Sequence, residues 1–227
     1  MMTQADERKV TMNIELEKPT TDAVRIAGEG FDEESKVIEK ALTELFGQYP
    51  YNSEESHVLL KVVALNDLYS TQIPLYSKRI PSILDIVQHI VELKIDSDLD
   101  KCLPGLVNQI ASITVEEKEH RYNYSFATKY CSWHRADAYP IFDSRVGEYL
   151  WHLRNLGALS QFKREVLWDY PVFKKIVVEF QETYHLSEFK FKDIDKFLWS
   201  EGGKLFAQKE KQAESTTDSQ QSLPESN

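Results

Sequence analysis

A chain of 227 residues with 37 Asp/Glu against 27 Lys/Arg, a net charge of −10 at pH 7, is long enough for one well-buried domain. It is too acidic for indiscriminate attraction to nucleic acid, whose affinity comes mainly from Lys and Arg. A hydrophobic content of 41%, with only eight Gly and eight Pro, excludes low-complexity and collagen-like chains. No apolar run reaches bilayer length, and the opening MMTQADERKV lacks the apolar core of a signal peptide. Two cysteines, Cys102 and Cys131, make no disulfide framework and point to a reducing, cytoplasmic setting with no membrane partner.

Residues 1–31 are expected to be extended or flexible. Val10, Met12, Ile14 and Leu16 alternate with polar residues as in a half-buried strand, and Ala23 to Ile26 is a second extended piece that could pair with it. From Asp32 the period becomes helical, with Val37, Ala41, Leu42 and Leu45 forming a stripe that Tyr49-Pro50-Tyr51 ends. Asn52 and Glu55 stand in capping-box spacing before a helix from His57 to about Ser70. That helix is apolar on most sides and therefore central. The polar residues at its end, Asn66 to Gln72, are core anchors or pocket lining. Pro81 opens an amphipathic helix over Ser82 to Leu93, Asp96 to Asp100 reads as an acidic linker, and a helix is expected over Leu103 to Ile113. Thr114 to Glu117 looks like another helix start with acids in its first turn.

Ser125 to Leu153 is the most specific stretch. Phe126, Tyr130 and Trp133 share a helical face, His134 to Tyr139 is turn-like, and Asp143-Ser144 is a natural start for a second helix through Val146, Leu150 and Leu153. His120 to Lys175 carries nine Lys/Arg against five Asp/Glu, an island of positive charge. Two further helices follow at Phe162 to Trp168 and Val172 to Tyr184, then a short one from Phe191 to Trp199 closed by Gly202-Gly203. The polar stretch 208–227 is expected to be disordered. The fold class is all-α, a single-domain multi-helix globule over 32–207.

Ala127-Thr128-Lys129 followed by Tyr139-Pro140-Ile141-Phe142-Asp143 resembles the active-site segment of the 8-oxoguanine DNA glycosylases, in the helix-hairpin-helix glycosylase superfamily. SFATKY…YPIFDSRV with DIDKFLW is similar to bacterial proteins assigned that glycosylase-like fold. The resemblance implies a DNA glycosylase/AP lyase acting on a flipped-out damaged nucleoside, with Lys129 as the Schiff-base nucleophile and Asp143 as the supporting carboxylate. DNA would be the partner, and no cofactor or metal is called for. A lysine attacks only as the free amine, so burial or positive neighbours such as Arg135 and Arg145 must lower its pKa. Candidate substrate contacts are Asn66, Asp67, Gln72, Trp133 and Arg145, and candidate phosphate contacts are Arg135, Lys163, Arg164, Lys174 and Lys175. The aromatics Tyr122, Tyr124, Trp151 and Trp168 stack on bases or belong to the core.

The bland readings stand beside these: Lys129 paired with Asp143 or at the surface, Asp143 as a plain N-cap, the basic residues as a solvated face. The rival function is a non-catalytic helical module binding nucleic acid or protein in defence or regulation. A remote one is a di-iron carboxylate protein built from Glu117-x-x-His120 and Glu182-x-x-His185 with Glu44 or Glu92. Cys131-x-x-His134 is a weaker metal half-site.

Overall fold

The computed structural model describes residues 16–30 and 33–221, with side chains through Gln208 except that of Glu33. Its order is α1 (Thr21–Glu29), α2 (Glu33–Gln48), α3 (Glu55–Leu68), α4 (Ile83–Leu93), α5 (Asp96–Asp100), α6 (Gly105–Ala111), β1 (Ser112–Ile113), β2 (Arg121–Tyr122), α7 (Tyr124–His134) and α8 (Ser144–Asn155). A 3-10 turn (Arg164–Trp168), α9 (Tyr170–Thr183) and α10 (Phe191–Gln221) complete it. All-α architecture in one domain is what the helical periodicity indicates, and the described residues hold ten α-helices and one two-stranded sheet.

Several expectations are corrected. Ala23 to Ile26 is not extended but lies inside α1, because Thr20 caps that helix by accepting from Ala23 N at 3.2 Å. The alternating stretch from Val10 lies outside the described residues up to Leu16, which packs against the core. Asn52 does not cap α3. Its side chain is taken by Asp96 (2.7 Å) and by the buried Lys61 (2.7 Å), so Glu54 stands at the N-cap without a side-chain bond. The acidic linker is the short helix α5. The run after Ile113 starts no helix, since Ser112 and Ile113 pair antiparallel with Tyr122 and Arg121 in a hairpin.

The largest departure is α10. Gly202 and Gly203 do not end it, and it continues through Gln221, into the stretch expected to be disordered. Gly202 is there for proximity. A Cβ on it would lie 2.1 Å from the Arg145 carbonyl oxygen and 2.6 Å from its carbon, so α8 and α10 cross in backbone contact. That crossing, the central α3, and α7 frame the cavity described next.

The segment 140–143 ties these helices together. Thr128 Oγ1 on α7 accepts from Phe142 N at 3.1 Å, and Asp195 on α10 accepts from Ile141 N at 2.9 Å. Tyr170 on α9 donates to the Pro140 carbonyl at 2.9 Å. Three helices thus satisfy one buried irregular strand of backbone, which would otherwise be costly.

Candidate active site

A pocket of about 670 Å³ opens between α2, the C-terminal end of α3, α7, the start of α8 and α10. Lys129 and Asp143, singled out from sequence, both line it. Their proximity follows from the 140–143 segment: the residue before Lys129 holds the backbone of the residue before Asp143.

Lys129 is in the middle of α7 and 4% exposed. Its Nζ donates to Ser125 Oγ one turn back at 2.5 Å and lies 5.4 Å from the centre of the Tyr69 ring. Burial pulls its pKa down, and the nearby Asp143 and Asp195 charges oppose that. It forms no ion pair with Asp143, so the simple salt-bridge reading fails. The amine is desolvated without being locked to a carboxylate, which favours the neutral, nucleophilic form.

Asp143 is in extended conformation before α8 and its Oδ1 accepts from Val146 N at 2.9 Å. It is the N-cap the sequence indicates, with the second oxygen left for the pocket.

Asp195 is a site residue that sequence reasoning missed. It is 7% exposed, and while its Oδ2 takes the Ile141 amide, its Oδ1 is buried with no hydrogen-bond partner among the described residues. Burial, aided by the charge of Asp143, pushes its carboxyl well above the usual range, against the Ile141 amide and Lys129. The shift favours the protonated acid at the edge of the cavity.

The walls are aromatic. Trp133 donates Nε1–H to the Tyr69 hydroxyl at 3.1 Å, and Phe46 and Trp199 line other sides. The rim carries Lys192 and Lys196 on α10, which share the Glu39 carboxylate of α2 at 2.7 and 3.2 Å. Lys192 also sits 4.8 Å over the Trp133 ring. Lys192, Asp195, Lys196 and Trp199 recur every three or four residues on one face of α10. That spacing in KDIDKFLW was the available signal, although as a mixed polar stripe it reads as a solvated face.

The remaining predicted contacts are dispersed. Asn66 is a turn anchor, donating to the Ile73 carbonyl at 3.0 Å and accepting from Ile73 N and Thr71 Oγ1 at 2.8 Å. Asp67 and Gln72 are exposed and away from the pocket. Trp133 lines it, as does Arg135, which is paired with Asp100. Arg145 lies outside the lining and stacks on Trp199 at 4.3 Å. Lys163, Arg164, Lys174 and Lys175 sit around the 3-10 turn and α9, away from the pocket, with Arg164 paired to Glu148 and Lys174 over Tyr139. They form no rim for this site. Tyr124 is core and stacks on Tyr122, while Trp151 packs on Phe162 and Trp168 on Phe142. Glu117 and His120 lie around the hairpin, and no three His, Cys, Asp or Glu side chains gather into a metal-sized cluster among the described residues. No helix among them is long and apolar enough to cross a membrane.

Compared with known proteins, residues 22–138 match the family model HI_0787_N, described as an N-terminal domain. A Haemophilus influenzae protein described as uncharacterised is 38% identical over 135 residues, covering 58% of this chain and 62% of that protein. The match thus spans less than two thirds of the relative's length. No solved structure matches.

Proposed function

This chain belongs to the HI_0787_N family, and from its pocket we propose that it is a base-excision-type DNA glycosylase/lyase working through Lys129. The observation that carries the reading is the placement of a desolvated, unpaired lysine amine in one aromatic-walled pocket with two carboxyl groups of different character. A volume of about 670 Å³ suits a flipped nucleoside. Lys192 and Lys196 stand at the rim of the pocket, where a phosphate could compete with Glu39 for them.

In this mechanism the neutral Lys129 amine attacks the anomeric carbon. The glycosidic bond breaks with its electron pair leaving on the base, and the protonated Asp195 supplies the proton that neutralises it. The C1′–O4′ bond of the adduct then breaks with its electron pair going to O4′, a proton passes from the nitrogen to that oxygen, and a Schiff base on Lys129 results. The Asp143 carboxylate, held by the first turn of α8, opposes the positive charge that develops on the sugar.

The test is borohydride trapping on duplexes carrying 8-oxoguanine or an abasic site, with the parent and Lys129→Gln side by side. A covalent protein–DNA adduct in the parent alone is the expected result. Equal adducts in both proteins would remove Lys129 from the chemistry. No adduct with either duplex would favour the rival, a non-catalytic helical module that binds nucleic acid or protein.

A further inference from the structure

We infer that Ser125 is the positioning residue of the reactive amine, acting through Lys129 rather than on substrate. The inference rests on the lysine chemistry proposed above. Ser125 and Lys129 are one turn apart on α7, and among the described residues the hydroxyl accepts the amine's one hydrogen bond, at 2.5 Å. Ser125 is not among the pocket-lining residues, whereas Lys129 is. The serine therefore holds the amine from behind.

The contact fixes where the amine sits: the ammonium donates to Ser125 Oγ, and the amine left on deprotonation stays within hydrogen-bond reach of the same oxygen, so the long side chain keeps one position at the cavity wall. The serine is in turn fixed by its place on the helix: its carbonyl accepts from Thr128 Oγ1 at 2.9 Å, the same hydroxyl that holds Phe142 ahead of Asp143. Nucleophile, positioning serine and carboxylate thus share one hydrogen-bonded frame. The Tyr69 ring at 5.4 Å flanks the amine without offering it an oxygen acceptor.

Removing the acceptor has two opposed effects, which separate positioning from mere structure. The ammonium form loses an oxygen that stabilises it, so the amine deprotonates at lower pH. The free amine also loses its orientation, so the limiting rate at high pH falls. The experiment uses pyridoxal 5′-phosphate as an aldehyde probe, borohydride to fix the imine, and mass spectrometry to quantify labelling at Lys129 against pH. Parent, Ser125→Ala, Ser125→Thr and Lys129→Gln are compared at matched helicity by circular dichroism.

Ser125→Ala is expected to lower the limiting labelling rate about tenfold, as loss of one orienting contact does, and to move the half-labelling pH downward. Ser125→Thr, which keeps the hydroxyl, should restore both. Unchanged rate and midpoint in Ser125→Ala overturn the inference while leaving the lysine chemistry standing. Absence of labelling at Lys129 in the parent overturns both. Serine-dependent labelling without any DNA adduct sustains the inference and removes the base-excision reading.

Discussion

Gly202→Ala puts the α8–α10 crossing to a direct test. An added methyl would sit 2.1 Å from the Arg145 carbonyl oxygen and 3.0 Å from its Cβ, where ordinary contact begins at 3.4 Å. Backbone atoms cannot swing aside, so the helices must separate by about 1 Å, an overpacking cost of roughly 1–3 kcal/mol or more. Against this stands the gain from replacing glycine inside a helix, about 1 kcal/mol. The net expectation is destabilisation by up to about 2 kcal/mol, or more where the backbone cannot give. Gly203→Ala is the internal control, because its new methyl would meet only the Arg145 side chain at 3.7 Å or beyond. The same propensity gain then goes unopposed, and stability should rise by up to about 1 kcal/mol. Urea unfolding followed by circular dichroism reads both. Neighbouring glycines should therefore shift the midpoint in opposite directions. If both variants shift the same way, helix propensity outweighs contact and the close crossing is not real.

Asp143→Ala should cost about 1 kcal/mol through loss of the cap on α8, whereas Asp143→Asn should cost a few tenths while abolishing trapping. Equal destabilisation by the two, in thermal melts, would show that charge rather than capping fixes this residue. Asp195 has a raised folded pKa, so its contribution to stability is full below about 3.8 and is lost as pH rises towards the folded value. Asp195→Asn should therefore gain on the parent as pH rises above about 3.8, and a difference that stays constant as pH rises would sink the assignment. Lys61 is the opposite case: burial pulls its folded pKa from 10.5 to about 8, so the folded state binds fewer protons than the unfolded one between those values. Stability should climb by up to about 3 kcal/mol over that window, at about 1.4 kcal/mol per pH unit. A urea midpoint that is flat or falls between pH 8 and about 9.5 contradicts it.

Much of this architecture is legible in the chain, and the exceptions share a cause. Periodicity locates α2, α3, α4, α7 and α8 because each buries a stripe on the common core. Asp143 is readable because capping is local chemistry within four residues. What local patterns cannot disclose is long-range partnership. Asn52 looks like a cap until Asp96 and Lys61 claim it from 44 and 9 residues away. Gly202 looks like a stop until the backbone of Arg145 is placed against it. Asp195 looks like one more acid on an amphipathic helix, and only the packed molecule buries it beside Lys129 and Ile141. Lys174 and Lys175 lie outside the pocket lining, and charge density along the chain says nothing about which cavity it faces.

The pairing of Lys129 with Asp195 gives the pocket its chemical character. Burial acts on both in opposite senses, lowering the basicity of the amine and raising that of the carboxylate. Each charge would relieve the other if the two met in an ion pair, and the resulting pair would be chemically inert. No such pair forms: Asp195 is held by the Ile141 amide and Lys129 by the Ser125 hydroxyl. One backbone and one side-chain hydrogen bond thus keep a base and an acid apart in one cavity, each nearer its neutral form. A neutral amine can attack and a neutral carboxyl can donate, and those are the two protonation states that displacement of a leaving group requires. That pair of neutral-leaning groups, each held by its own partner, is the physical reason to look for chemistry at this pocket.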